Sequence, residues 1–443
     1  MEINLSKIKN VHFIGIGGIG ISAIARMMML AGKKVTGQDV QDSDIVNELR
    51  KMGAEVNIGQ SYDAIPQDSD LIVYTIAIEN YAPELFESLQ EQHIPIRSYP
   101  QMLNIVSEGK YTIAVSGTHG KTTTTAMIAE ILCDAKLEPT VVVGSLLINP
   151  NSTDTSTGSN FIAGKSKYFV VEACEYRRSF LNINPNILVI TNIEEDHLDY
   201  YKDIEDIKSA FRELAMKVSS DGFIICNPND SNIQDVIDGV SAQIIDYSLA
   251  INLNMKLKVP GVYNKKNAGC AQSVARVLSV SDIQIESSLG EFVGTWRRFQ
   301  FKGKLTSGAL IYDDYAHHPT EVIATLEGFR ELYPVSEGWK ITVLFQPHLY
   351  SRTKALLPEF IKSFSDADMV IVLPIYAARE EDDGSVSSSI FANSIVGPNA
   401  VAPASFEEAE SYIKNNIFTD KDIIVTMGAG VAFQIGDNLL RDL

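Results

Sequence analysis

Residues 112–125 read TIAVSGTHGKTTTT. An apolar run of strand character passes into a glycine-rich turn, and a lysine and four threonines follow. Backbone N–H groups of Gly117, Thr118, His119, Gly120, Lys121 and Thr122 can wrap phosphate oxygens in such a turn. Lys121 can then reach the β and γ phosphates, and the Thr122 hydroxyl can face Mg²⁺. Beyond Thr123 the threonines read as the start of a helix. The usual G-x-x-x-x-G-K-[ST] pattern lacks its first glycine, because Val115 stands there. A strand, a phosphate loop and a helix in succession set the surrounding segment as α/β.

Three further segments, YFVVEACE (168–175), ILVITNIEEDH (187–197) and GFIICNPND (222–230), are apolar strands with polar ends. Open parallel sheets carry ligands at the C-terminal ends of their strands, so chemistry is expected at those polar ends. Glu172 and His197 stand there. A carboxylate and a neutral imidazole can both ligate Mg²⁺, although imidazole is an unusual partner for so hard an ion.

Upstream, VHFIGIGGIGISAIARMMMLAG (11–32) is a strand, a glycine turn and a helix, and KKVTGQD and LIVYTIAI follow as strands. Gly15, Gly17 and Gly20, with Gly18 between them, satisfy G-x-G-x-x-G, a turn that lets backbone amides approach a diphosphate. Asp39 ends the second strand at nearly the spacing of a ribose contact. Alone, this loop reads as dinucleotide binding and leaves an NAD-dependent oxidoreductase open, beside a glycine turn that merely packs a helix. Asp39 is equally open as a ligand or a solvated turn carboxylate. Downstream of GVYNKKNAGCAQSVARVL, a turn and helix, the strands ALIYDDYAHH, WKITVLFQPH, MVIVLPIY and DIIVTMGAG form a third block.

The chain has 443 residues, which at roughly 150 residues per domain predicts three domains: 1–107, 108–302 and 303–443. Lysine and arginine number 37 against 56 acidic residues, a formal charge of −19 that repels a phosphate backbone and argues against nucleic acid. Cys133, Cys174, Cys226 and Cys270 lie far apart without C-x-x-C spacing, so neither a zinc site nor a disulfide framework is expected. No cleavable leader and no run of about 18 apolar residues is present, so a cytoplasmic protein without membrane insertion is expected. Oligomeric state is not legible.

GTHGKTTTT, NIEEDH, PGVYNKKN, RRF, YDDYAHHPTEV and FQPHLYSRT, in this order, resemble the Mur ligases that build bacterial peptidoglycan precursors. The resemblance runs from His12 to Gly430. It implies a three-domain α/β fold: a Rossmann-like N-terminal domain, a central P-loop ATPase-type domain with a parallel sheet, and a Rossmann-like C-terminal domain. In this family G-T-x-G-K-[ST] cradles ATP without the distant glycine, so Val115 is no defect. The activity implied is an ATP- and Mg²⁺-dependent amide ligase joining L-alanine to the lactyl carboxylate of UDP-N-acetylmuramate through an acyl phosphate. A ligase adding a whole tripeptide to the same sugar is the nearest rival.

Residue by residue, the resemblance implies that Gly15, Gly17, Gly18, Gly20 and Asp39 hold the UDP-sugar rather than NAD. It implies that Lys121, Glu172 and His197 are catalytic, with Thr122, Glu172 and His197 as metal ligands. Asn264 and Asn267 would face adenine and Asp314 the ATP ribose, while Tyr315, His317 and Arg352 would line the alanine site. Arg297 and Arg298 would either reach the triphosphate or stand as surface charges. The chain departs from the family pattern at Cys174, Arg177, Tyr263, Leu349 and Val431.

Overall fold

The computed structural model describes residues 3–91, 93–147, 158–378, 380–382, 384–416 and 418–441. Within them the backbone forms three sheets, divided between two compact units. The first unit comprises Met1–Glu195, Tyr201–Ala250 and Gly269–Ser288; the second comprises Asp196–Tyr200, Ile251–Ala268 and Leu289–Leu443.

The first sheet is wholly parallel, with strands in the order Glu55–Ile58, Lys34–Asp39, Asn10–Ile14, Leu71–Tyr74 and Ile96–Ser98. Val11, Phe13, Ile14, Leu71, Ile72 and Val73 are all buried, as unbroken apolar strands must be when helices cover both faces. The strand order reverses between Asn10–Ile14 and Leu71–Tyr74, the switch point where open α/β sheets take their ligands. Gly15 lies there, with φ of 75°.

His12 sits inside this sheet at 1% exposure. Ser61 N donates to Gln38 Oε1 at 2.7 Å, which turns the Gln38 amide NH₂ toward His12 Nε2 at 2.9 Å. Nε2 is therefore the acceptor, and Nδ1–H donates to Thr36 Oγ1 at 2.8 Å. Burial pushes the His12 pKa down to about 4.

Seven strands make the second sheet, in the order Gln243–Asp246, Phe223–Cys226, Ile187–Ile190, Tyr111–Ser116, Tyr168–Glu172, Thr140–Leu147 and Ser159–Ile162; only the last pairing is antiparallel. The phosphate-loop strand, Tyr111–Ser116, is central. Ala114, Val171, Leu188 and Ile190 around it belong to one apolar cluster that continues through Val11 and Phe13 of the first sheet. Each large member contributes roughly 1.5–3 kcal/mol by leaving water. The glycine-turn helix, Ile19–Leu30, packs on strands Thr140–Leu147 and Ser159–Ile162. Asn160 donates to Ile19 O and, at 2.9 Å, to Ser22 Oγ. The glycine turn and the phosphate loop thus belong to one compact unit.

The second unit holds the third sheet: Gln300–Lys304, Leu310–Asp314, Asp422–Met427, Lys340–Phe345, Met369–Val372 and Asn399–Val401, parallel except for the first pairing. Its strands end at Asp314, Phe345 and Met427, in the three motifs DDYAHH, FQPH and MGAG. Gln300 and Phe301 already pair in this sheet, so its first strand begins ahead of residue 303.

Candidate active site

The glycine turn is closed by its own domain. Asp39 Oδ2 accepts from Gly17 N at 2.8 Å and Oδ1 accepts from Gln41 N at 3.1 Å. Asp39 is therefore neither simply solvated nor idle: it braces the turn.

Gly117 adopts φ of 136°, and a Cβ there would fall 2.0 Å from Thr191 Oγ1; only glycine fits. Gly120 caps the helix Lys121–Asp134 with φ of 83°. Between them the phosphate loop is fastened to residues 191–194. Thr118 N donates to Asn192 O at 3.0 Å, His119 N to Asn192 Oδ1 at 2.9 Å, and Glu194 N to Thr118 Oγ1 at 2.8 Å. The loop is thereby shaped before any ligand arrives.

Lys121 Nζ donates to Gly117 O at 2.6 Å and Thr118 O at 2.9 Å, and meets Glu175 Oε2 at 2.9 Å. Burial opposes the lysine's charge, but the acidic neighbours together, Glu175 foremost among them, hold the ammonium pKa above the ordinary lysine value. Thr122 Oγ1 donates to Glu172 Oε1 at 3.0 Å, and Glu172 Oε2 accepts from Gly144 N at 2.7 Å. A hydroxyl and a carboxylate converge at the strand end, an oxygen donor set that suits Mg²⁺. Thr123 is buried.

Glu175 is a residue that motif reading missed. It is 2% exposed, and its backbone carbonyl accepts from the Tyr201 hydroxyl. The only sequence signal was a second glutamate three positions after Glu172. Arg177, one of the departures from the family pattern, pairs with Glu79 at 2.9 Å and donates to Ile76 O at 3.3 Å, tying the EACEYRR segment to the first sheet's LIVYTIAI segment.

The second unit contains the remaining residues, His197 among them. His197 holds φ of 55°, and its backbone N donates to Asp196 Oδ1 at 2.7 Å. Asp196 also receives Arg352 Nη2 at 2.8 Å. Burial opposes ionisation of Asp196, yet His197 and Arg352 hold it well below the usual carboxylate range. Arg352 Nη1 lies 3.3 Å from His348 Nδ1. His317 Nδ1 faces Tyr315 O at 3.0 Å and Glu321 Oε2 at 3.2 Å, both acceptors. That nitrogen therefore carries the proton, and Nε2 is left as an acceptor. Burial pushes the His317 pKa down to about 3.

Asp314 is 6% exposed and accepts from Phe299 N at 2.7 Å and Ala316 N at 2.8 Å. Burial, opposed by Arg298 and these donors, pushes its pKa up to about 6. The Arg298 guanidinium lies 5.0 Å from the centre of the Tyr315 ring and 3.5 Å from Glu321. Asn264 and Asn267 meet on the helix Val262–Val277, Asn267 Nδ2 donating to Asn264 Oδ1 at 3.3 Å.

Arg297 corrects both readings offered for it. At 3% exposure it is no surface charge, and every guanidinium nitrogen is committed: to Asp313 Oδ2 at 2.8 Å, Gly430 O at 2.8 Å and Gly428 O at 2.6 Å. It ties strand ends together. Val431 contributes its backbone N–H to Gln346 Oε1 at 2.8 Å, a contact indifferent to its side chain. Leu349 holds φ of 66° and ψ of 135° with its side chain 5% exposed, and its N donates to Tyr376 O at 2.9 Å.

Comparison with known proteins agrees with this architecture. Family models described as Mur ligase family, catalytic domain; Mur ligase middle domain; and Mur ligase, glutamate ligase domain match residues 10–111, 115–289 and 297–430. A UDP-N-acetylmuramate–L-alanine ligase of Caldanaerobacter subterraneus subsp. tengcongensis is 39% identical, over 100% of this chain and 99% of that protein. The crystal structure of a UDP-N-acetylmuramate-alanine ligase from Thermotoga maritima superposes with a TM-score of 0.79 at 26% identity, covering 98% of this chain and 99% of that one. A murein peptide ligase from Psychrobacter arcticus, 24% identical and covering 98% of each chain, shares the fold with a TM-score of 0.74. Matched along its length by three domain models and by relatives at this identity, the chain belongs to the Mur ligase family.

Proposed function

We propose that this chain joins L-alanine to the lactyl carboxylate of UDP-N-acetylmuramate with ATP and Mg²⁺, in peptidoglycan precursor synthesis in the cytoplasm. One observation carries the reading: a charged lysine, a hydroxyl and a carboxylate surround a preshaped phosphate loop, in a chain 39% identical end to end to a ligase of that name. Residues 1–107 would serve the nucleotide sugar, 108–302 ATP, and 303–443 the amino acid and part of the nucleotide.

A carboxylate is a poor electrophile, and phosphorylation gives it a leaving group. The lactyl oxygen attacks the γ-phosphorus, the bond to the β-phosphate oxygen breaks, and ADP leaves. Amides of residues 117–122 and the Lys121 ammonium hold the phosphates and offset the charge that gathers in transfer. Mg²⁺ held by Thr122 and Glu172 would add neutralising charge at the same phosphates. The alanine nitrogen, as the free amine, then attacks the acyl carbon, and the tetrahedral adduct expels phosphate while the surplus N–H proton passes to solvent or to the departing phosphate. Arg352 would hold the alanine carboxylate, and neutral His317 would accept a hydrogen bond at Nε2. Aligning the two reactants is the larger part of the task.

A coupled ADP-release assay with UDP-N-acetylmuramate, run across amino acids and the L-alanyl-γ-D-glutamyl-diaminopimelate tripeptide, tests the reading. Release dependent on both sugar nucleotide and L-alanine is expected. Release with the tripeptide but not alanine would reassign the chain to the recycling ligase, and NADH turnover would replace the ligase with an oxidoreductase.

A further inference from the structure

The helix Tyr99–Ser107 opens with a reciprocal cap. Ser98 N donates to Gln101 Oε1 at 2.9 Å, and Gln101 N donates to Ser98 Oγ at 3.4 Å. This fixes the first turn and with it the position of Tyr99. The ring lies directly on the glycine turn: a Cβ built on Gly20 would fall 2.6 Å from Tyr99 Cζ and 2.8 Å from its hydroxyl oxygen. Glu172, the carboxylate bonded to Thr122, is near enough to act electrostatically on the same phenol. Strand Thr140–Leu147 supplies the link, since Gly144 N bonds Glu172 while the strand packs against the glycine-turn helix.

Burial, reinforced by Glu172, raises the phenol pKa far above that of an ordinary tyrosine, so the proton stays on the oxygen. No protein acceptor among the described residues receives that proton. The ring's packing over Gly20 explains the aromatic residue but not its hydroxyl, which phenylalanine would lack at no loss of contact. The glycine-turn side of this neighbourhood offers backbone amides at the start of the helix Ile19–Leu30, donors suited to an anionic oxygen, while the Glu172 carboxylate on the other side favours the protonated, donating phenol.

We propose that the Tyr99 hydroxyl is a substrate-binding donor that hydrogen-bonds an anionic oxygen of the nucleotide sugar seated at the glycine turn. The proposal rests on the reading that the glycine turn takes a UDP-sugar. Two oxygens of that ligand have the right chemistry, one on the diphosphate and one on the lactyl carboxylate.

Tyr99→Phe isolates the hydroxyl. Calorimetric titration of the full-length wild type and variant would use UDP-N-acetylmuramate, UDP-N-acetylglucosamine, which lacks the lactyl group, and ATP, with thermal unfolding alongside. A hydrogen bond to a charged group lost without compensation should raise the Kd for UDP-N-acetylmuramate roughly tenfold to a hundredfold. ATP affinity and melting temperature should stay at the wild-type values. Equal weakening of both sugars assigns the bond to the diphosphate, and weakening of UDP-N-acetylmuramate alone assigns it to the carboxylate; either supports the proposal. An unchanged Kd in a wild type that binds the sugar overturns it, as does loss of all ligands together with a lowered melting temperature. Failure of the wild type to bind UDP-N-acetylmuramate overturns the functional reading itself.

Discussion

Lys121→Ala should remove more than catalysis. In the absence of nucleotide the ammonium is the counter-ion of Glu175, with side-chain exposures of 13% and 3%. Deleting one member of a buried pair costs about 3–5 kcal/mol, because the other charge is left without compensation. Glu175 can escape by taking a proton, and from an ordinary glutamate value of about 4.3 this costs about 4 kcal/mol at pH 7. Protonation therefore caps the penalty, and about 3–4 kcal/mol is expected. At about 2–4 °C per kcal/mol for a unit of this size, the melting temperature should fall by roughly 6–16 °C. Without the lysine, burial raises the folded pKa of Glu175 above its unfolded value. The deficit should then be small below about pH 4 and grow as pH rises toward the folded pKa. Glu175→Gln added to Lys121→Ala should restore most of the stability and none of the ADP release. Differential scanning of wild type, single and double variants at pH 5 and pH 7 reads all of this. A single variant that melts with the wild type at pH 7, or a double variant no better than the single, refutes the pairing argument.

Arg352→Lys keeps a charge but loses the planar fork, one edge of which Asp196 already holds. The KM for L-alanine should rise at least about tenfold, or about 1.4 kcal/mol, with the ATP constant near native; an unchanged alanine KM would remove Arg352 from the acceptor site. His12 binds its proton more weakly folded than unfolded, its pKa falling from 6.5 to about 4. The wild type should therefore lose roughly 3 kcal/mol of stability as pH drops through that window. In His12→Gln this part of the urea-midpoint slope should vanish, and a slope equal to wild type would refute the assignment.

What the sequence revealed was what it carries locally. The phosphate loop is legible because strand, turn, lysine and hydroxyl fall within a dozen residues, and Glu172 because it ends an apolar run. Glu175 was not, since it lies past the strand, just before Arg177 and Arg178, whose left-handed backbone no periodicity signals. NIEEDH presents three acids in succession, and only the fold shows that Glu195 faces out while Asp196 is buried beside Arg352. Arg297 and Arg298 are neighbours with opposite fates, at 3% and 26% side-chain exposure; the first is decided by carbonyls more than a hundred residues away. Asp39 was open between ligand and solvated turn carboxylate, and its bracing contacts went unread because the backbone N–H groups of Gly17 and Gln41 have no side-chain signature.

Leu349 stands between His348 and the helix Tyr350–Ala355 that presents Arg352. Its backbone conformation costs about 1–3 kcal/mol, and burial of its side chain returns a similar amount. Replacement by glycine would relax the first and forfeit the second, so the two nearly cancel. A selection for thermostability would be almost blind to this position, whereas, on the alanine-binding role proposed for Arg352, a selection for turnover would feel any change in where the chain delivers that side chain. The residue thus encodes direction rather than strength, information that stability-guided redesign of the second unit would erase without warning.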